Sequence, residues 1–523
     1  MMFRGRPKEW GPLDWCVALA VVLALVGGVV LWQQTRPGPC GDGMDKRGDD
    51  CVGVTARAFE TGDATTDGLI RAVADENARV KRQWDDPQGN AARIPYVRIA
   101  LMMPFTSDTT SAMTREMIQR GLAGALASQQ QANGSGGPHY QLLLAPDGRD
   151  LDQWESVVDR LDDLTGDDEA PLVGVTGIPS STTETRDAVA ALSHRSIPTV
   201  GPVITAASMN SRYFFKTSPN NEQFSHALDA YLKAHRGNGR GVLVWDSREG
   251  DVYSQDLRSV FERRFGRRYD LKTNNSHFVG SSGDDQGIPQ RFADAAEKIC
   301  RKKVDTVFFA GRDQDLPAFI NRLADEGSCD RSQKVRILKI GIGLEPTLTT
   351  KAIESSLKSV NATIVDASAY DPAWADGKGT PPRGSAAFLD RFRQLQKTYA
   401  LGASPLSDGY AAMYYDGFKL LADAMDSTYS EVNDGGAPSA EPSPLPKAKD
   451  LYSTLTTSTI DGPSCTSGCL VGASGTYGFG GPGENDQWAV CKPVPVVEFP
   501  AGATKSRSPY RTYRGAEAGA CPG

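Results

Sequence analysis

From Tyr96 to Ile340 the chain alternates apolar runs with segments of helical spacing, and this alternation constrains the fold more than any other feature. Val97–Phe105 reads as a buried strand, Ser111–Gln131 as a helix, Tyr140–Ala145 as a strand and Leu151–Leu164 as a helix. After the segment 171–221, Phe224–Ala234 is helical, Gly241–Trp245 a strand and Ser254–Phe265 a helix. Phe292–Arg301 follows as a helix, Val304–Phe309 as a strand, Leu316–Glu326 as a helix and Val335–Ile340 as a strand. Strands that alternate with helices of this length build a parallel sheet with helices on both faces. Such sheets bind ligands outside the carboxyl ends of their strands.

The segment from Pro171 to Asn221 places chemistry at one such end. Leu172, Val173 and Val175 form an apolar run that stops at Gly177-Ile178-Pro179, and Ser180, Ser181, Thr182 and Thr183 follow. Val189 and Leu192 have helical spacing, and a second apolar run, Pro198 to Ile204, ends on Thr205. A hydroxyl-rich turn before a helix leaves unpaired N–H groups beside hydroxyl donors, and the helix dipole adds positive potential. That suits a carboxylate or another anion. Ser and Thr are also ordinary N-caps, so a turn that serves only its own helix is the competing reading.

At 523 residues the chain exceeds what one hydrophobic core supports, and two or three compact units are expected. The net charge of −7 excludes a basic nucleic-acid surface. Near the N-terminus, Trp15 to Trp32 is uncharged and long enough to span nearly the hydrocarbon thickness, with Arg4, Arg6 and Lys8 before it. Basic residues stay cytoplasmic, and neither a cleavage site nor a lipobox follows. The expectation is an uncleaved anchor in the cell membrane, with the N-terminus cytoplasmic and the bulk of the chain outside the cytosol. Of the nine cysteines, Cys16 lies in the apolar run. Cys40, Cys51, Cys300, Cys329, Cys465, Cys469, Cys491 and Cys521 are disulfide candidates in an oxidising compartment, with Cys40–Cys51 and Cys300–Cys329 the easiest local pairs. Metal ligation is the rival reading, but there is no C-x-x-C and the five histidines are scattered.

Six pieces in the right order resemble the type I periplasmic binding proteins, in particular the leucine/isoleucine/valine-binding branch of ABC-transporter substrate-binding proteins. Val97–Leu101 looks like the opening strand of that family, and Tyr213–Pro219 is similar to its crossover between lobes. Gly241–Trp245 with Asp251–Ser254, Asp305–Gly311 with Leu323–Gly327, and the helix opening Tyr410–Gly417 also match, as does Gly475–Gly480 with Glu484-Asn485. The match is distributed over about residues 94–500. It implies an α/β fold of two doubly wound parallel-sheet lobes joined by a three-crossover hinge and preceded here by the transmembrane helix, with a ligand closed between the lobes. On this reading 1–14 is a basic cytoplasmic tail, 15–32 the anchor and 33–93 a juxtamembrane segment with a helix starting at Asp67, either a stalk or packed on the main body. Residues 94–217 and 366–460 form lobe 1, 218–365 and 461–500 form lobe 2, and 501–523 is a C-terminal tail.

The resemblance also assigns site residues. Ser180, Ser181 and Thr182, with Ile204 and Thr205, fall where the family holds a ligand carboxylate, Tyr253 where an aromatic covers the ligand, and Tyr410 is a further candidate. In the amino-acid binders an aromatic stands at the position of Arg312, and an acid that pairs the ammonium falls near Gly343. This chain has Arg and Gly there, with Glu345 two residues on. That departure argues against an α-amino acid, and a buried Arg312 would favour an additional anionic group; a solvated Arg312 on the rim is the alternative.

The residues offer no catalytic constellation. Gly478–Gly483 fits G-x-G-x-x-G formally, but Pro482 and the polar continuation give it no helix. No nucleophile elbow, zinc motif or Walker loop is present. The functional expectation is a binding protein without cofactor that delivers a small polar or anionic, amino-acid-like solute to an ABC permease. The alternative is a sensory or scaffold ectodomain of the same fold that acts through a membrane or cell-wall partner.

Overall fold

The computed structural model describes residues 40–86, 93–280, 289–433, 445–457, 469–479, 487–500 and 510–511. The apolar run Trp15–Trp32 and Cys16, Cys465 and Cys521 lie outside these. Among the described residues no helix is long and apolar enough to cross a membrane.

A short hairpin, β1 (Met44–Arg47) and β2 (Asp50–Gly53), opens the described chain. Five strands follow, β3 (Tyr96–Met102), β4 (His139–Ala145), β5 (Leu172–Thr176), β6 (Thr199–Gly201) and β7 (Phe214–Lys216). They make an all-parallel sheet in the order β4-β3-β5-β6-β7. Alternation along the strands feeds two cores. Val97, Ile99 and Leu101 pack with Leu122 and Leu126 on one face, whereas Ala100 and Met102 pack with Val157, Leu161 and Leu192 on the other.

The second sheet contains β8 (Gly241–Asp246), β9 (Asn275–Phe278), β10 (Thr306–Ala310), β11 (Val335–Gly341) and β12 (Ala362–Ser368). The strand Val496–Phe499 runs antiparallel along β12 at its edge. Here too the faces separate. Leu243, Phe308 and Leu338 meet Phe261 and Phe265, and Val242, Val307 and Ile337 meet Ile299 and Phe319. The two sheets are the cores of the two lobes that the family resemblance implied, and their strands are those of the alternation.

The chain passes between the lobes three times, at 217–220, at 369–384 and at 491–495, between residues of the two sheets or of the helices packed on them. A buried ion pair ties the first and third passages to lobe 1. Lys492 Nζ lies 3.2 Å from Asp416 Oδ2 and donates to the Thr217 carbonyl at 2.6 Å. Asp416, on the lobe 1 helix Tyr410–Asn433, also accepts from the backbone N–H of Ala473 at 2.5 Å and of Ser474 at 3.1 Å.

The helix Ala64–Asp85 packs on lobe 1 instead of standing apart as a stalk. Asp63 caps it by accepting from the Thr66 N–H, and Leu69, Ile70, Val73 and Val80 are buried. Asn77 donates to the Leu142 carbonyl at 2.8 Å and accepts from the Leu142 N–H at 2.8 Å. Thr55 bridges Leu144 in the same way, at 2.9 and 2.8 Å. Since β4 is the outer strand of its sheet, residues 40–86 satisfy backbone groups that an open edge would expose. Cys40–Cys51 and Cys300–Cys329 are disulfides, and Cys469 and Cys491 are disulfide-bonded as well.

Candidate functional site

Between the lobes, at the carboxyl ends of both sheets, lies a cavity in which about 80 Å³ is accessible to the centre of a water molecule. One water needs roughly 10–15 Å³ by this measure, so the space admits a small solute. Ser180, Ser181, Thr205 and Met117 line it from lobe 1, and Tyr253, Arg312, Asp313 and Glu345 from lobe 2, with Tyr410 beside them.

The turn after β5 divides its hydroxyls between two jobs. Thr182 is the N-cap of the helix Thr183–His194 and accepts from the Thr185 N–H, while Thr185 Oγ1 accepts from the Thr182 N–H at 3.0 Å. It therefore serves its own helix and lies off the inner cavity, on a wider outer recess. The Thr183 N–H donates to the Gly250 carbonyl of lobe 2 at 3.2 Å, so part of the helix terminus expected to face an anion is closed off. Ser180 and Ser181, both nearly buried, remain on the cavity wall. Of the two residues after β6, Thr205 reaches the cavity, whereas Ile204 packs into the lobe 1 core and its carbonyl accepts from Ser218 Oγ.

Arg312 departs from both sequence readings. It is not on a solvated rim, and it is not free to meet an anion. Nε and Nη2 donate to the two oxygens of Asp251 at 3.0 and 2.8 Å, a bidentate pair. Nη1 donates to Ser180 Oγ at 2.6 Å and Nη2 to the Ser181 carbonyl at 3.4 Å, so the side chain latches lobe 2 to lobe 1. Burial opposes its charge, but the Asp251 carboxylate outweighs burial and raises the guanidinium pKa. Because Ser180 Oγ accepts from Arg312, its own proton stays available to a ligand acceptor. Tyr253 is fixed by its N–H to the Ser181 carbonyl at 3.0 Å and its hydroxyl to the Ile340 carbonyl at 2.5 Å.

Opposite the hydroxyls, lobe 2 presents acids that were not read as site residues. Glu345 is 6% exposed, and its Oε2 has no hydrogen-bond partner among the described residues. Burial, then the neighbouring Asp313, pushes its carboxyl well above the ordinary range. Asp313 is raised to about 6, by burial first, with Lys339 opposing. Lys339 Nζ lies 3.0 Å from Asp313 Oδ2 and 2.9 Å from Asp366 Oδ1. The strand register sets Lys339 directly beside Asp366. In sequence this group shows as Lys339 in Val335–Ile340, a run that also holds Arg336, and as the one aspartate, Asp366, of β12, positions where an unpaired charge would be costly.

Two lobes, each built on five parallel strands, are thus joined by three passages around one cavity. The amino acid ABC transporter substrate-binding protein of Pseudomonas fluorescens Pf-5 matches with a TM-score of 0.55 at 12% identity, over 82% of this chain and 100% of that one. This is the type I periplasmic-binding fold. A solute-binding protein of R. palustris in complex with 4-hydroxybenzoate matches at 0.54 and 13%, over 80% of this chain and 98% of that chain. The branched-chain amino acid transporter substrate-binding protein of Streptococcus pneumoniae, in complex with isoleucine, gives 0.52 and 15%, over 77% and 95%. No protein-family model matches the chain, and no curated protein sequence does either. Within the periplasmic-binding fold the sequence-derived residues Ser180, Ser181, Thr205, Tyr253, Arg312 and Tyr410 come together on one cavity, and Thr182 and Ile204 do not.

Proposed function

We propose that the protein is an extracytoplasmic solute-binding protein whose lobes close around a small, polar, amine-bearing solute and whose closed form engages an ABC-type permease. The observation that carries this reading is Glu345, a buried carboxylate without a partner for Oε2, lining the same cavity as the hydroxyls of Ser181 and Thr205. An acid on one wall and hydroxyl donors on the other suit a ligand with an ammonium and an acceptor group. Proteins of the same fold solved with isoleucine and with 4-hydroxybenzoate support a small-molecule occupant. Arg312 acts as a lobe-to-lobe latch in this scheme, and the anion-binding role expected for it gives way to its pairing with Asp251.

The test is a thermal-shift screen of the full chain in detergent, unfolded and refolded to strip bound metabolites, against amino acids, amines, nucleosides, aromatic acids and sugars. A ligand at 100 times its Kd adds about 2.7 kcal/mol, which moves the midpoint measurably. Ser181→Ala combined with Thr205→Ala is expected to weaken that ligand by about 1–3 kcal/mol in calorimetry. Unchanged affinity would place the site elsewhere. Silence across the library would favour the sensory or scaffold reading.

In the proposed arrangement Trp15–Trp32 anchors the chain, and the lobes lie outside the cytosol. Protease added to intact or wall-stripped cells should then digest the bulk of the chain, and full protection would reverse the topology.

A further inference from the structure

We propose that the solute carries net positive charge, as a small diamine or a basic amino acid does, and that Glu345 and Asp313 together select it over neutral zwitterions and anions. This rests on the solute-binding reading above and narrows it to a charge class.

Lys339 has three N–H groups, and three acceptors surround them: Asp313 Oδ2 at 3.0 Å, Asp366 Oδ1 at 2.9 Å and the Gly343 carbonyl at 3.2 Å. Its single charge is shared by two carboxylates, and none of its protons is left for Glu345. Arg312 lies on the same wall and lowers the carboxyls of Asp313 and Glu345, but its hydrogen bonds go to Asp251, which it shares with Arg248, and to Ser180 and Ser181, and Arg248 has Asp246 as well. Asp408, which adds negative potential at Glu345, is paired with Arg120 at 2.5 Å. The wall that faces the cavity therefore carries Glu345 unmatched and Asp313 half-matched, with Asp366 behind them.

An uncompensated buried carboxylate is unfavourable unless it is protonated or meets a cation. The raised carboxyl of Glu345 agrees with a proton filling that role when no cation is bound, whereas Asp313, raised to about 6, keeps most of its charge at neutral pH. A solute with two cationic nitrogens, or one with an amine beyond its α-ammonium, brings a positive group to each of the two acids. A neutral zwitterion supplies one ammonium and brings a carboxylate of its own. An anion adds like charge to a wall already in excess.

The experiment is competition calorimetry on the full chain in detergent with lysine, ornithine, putrescine and cadaverine, against leucine, glutamate and benzoate. The expected result is that at least one basic ligand binds tenfold or more tighter than leucine, glutamate and benzoate. Glu345→Gln and Asp313→Asn should each weaken that ligand by at least tenfold. Tight binding of leucine or benzoate with no binding of basic ligands overturns the charge inference and leaves the solute-binding reading standing. No binding by any solute overturns both. The wild-type ranking is decisive by itself should either variant fail to fold.

Discussion

Lys492→Met is expected to lower the stability of the protein by about 3–5 kcal/mol, the usual loss when one member of a buried ion pair is removed. Lys492 and Asp416 are both fully buried, and the pair sits where the chain crosses between lobes. The lysine reaches Thr217 on the first passage and Asp416 on the lobe 1 helix, while itself belonging to the third. Methionine fills much of the volume but leaves the carboxylate facing only the Ala473 and Ser474 donors. Burial holds the Lys492 pKa below its ordinary value and Asp416 opposes that shift, so the ammonium depends on its partner. Urea unfolding of the full chain should show the loss in Lys492→Met and a smaller one in the double variant with Asp416→Asn. Equal losses in the two would mean that the charge pair does not hold the passages together.

Asp147→Asn is expected to stabilise the protein, and by more as the pH rises. Asp147 is 1% exposed at the end of β4, Oδ1 has no partner among the described residues, and burial raises its carboxyl to about 8. In the unfolded chain an aspartate titrates at about 3.9. Below that value both states hold the proton and the carboxyl has no differential effect. Between there and about 8 the folded state keeps a proton that the unfolded state has released, so stability falls as pH rises, by about 1.4 kcal/mol per unit for one proton. Above about 8 the loss is complete. The asparagine removes this dependence, so its advantage over wild type should be small at pH 4.5 and grow through pH 7.5. Unfolding midpoints measured across that range check the slope, and an advantage that does not change with pH would show that Asp147 is not held protonated.

The strands and helices of the two lobes were legible because their signal is local, and their division into two lobes came from the family resemblance. Val97–Leu101, Val304–Phe309 and Val335–Ile340 are apolar runs of strand length between segments of helical spacing, and a parallel sheet buried on both faces requires both. The helix beginning near Asp67 was legible for the same reason. Its place was not, because the periodicity of Leu69, Ile70 and Val73 specifies a buried face but not what covers it. It packs on the helix Arg115–Ala132 and on the open edge of β4, which it reaches through Asn77, a polar residue on the same face as Ile70, Val73 and Val80.

At the site the division is sharper. Ser180, Ser181 and Thr182 are equivalent in sequence, three hydroxyls before a helix, and the chain alone places them at a strand's carboxyl end. Which becomes a cap and which meets the cavity follows from backbone direction at the turn and from the approach of Gly250 and Tyr253 on the other lobe. Arg312 likewise shows only a charge in sequence, and Asp251, 61 residues away, neutralises it only once lobe 2 is folded. The sequence by itself determined the class of fold, the succession of its units and the end of the sheets at which chemistry would gather, because hydrophobic period and turn composition act over a few residues. The sign of the cavity was decided by tertiary structure alone: it depends on which carboxylates Lys339 and Arg312 neutralise and which they leave to a ligand, and charges pair by distance in space, to which order along the chain is indifferent.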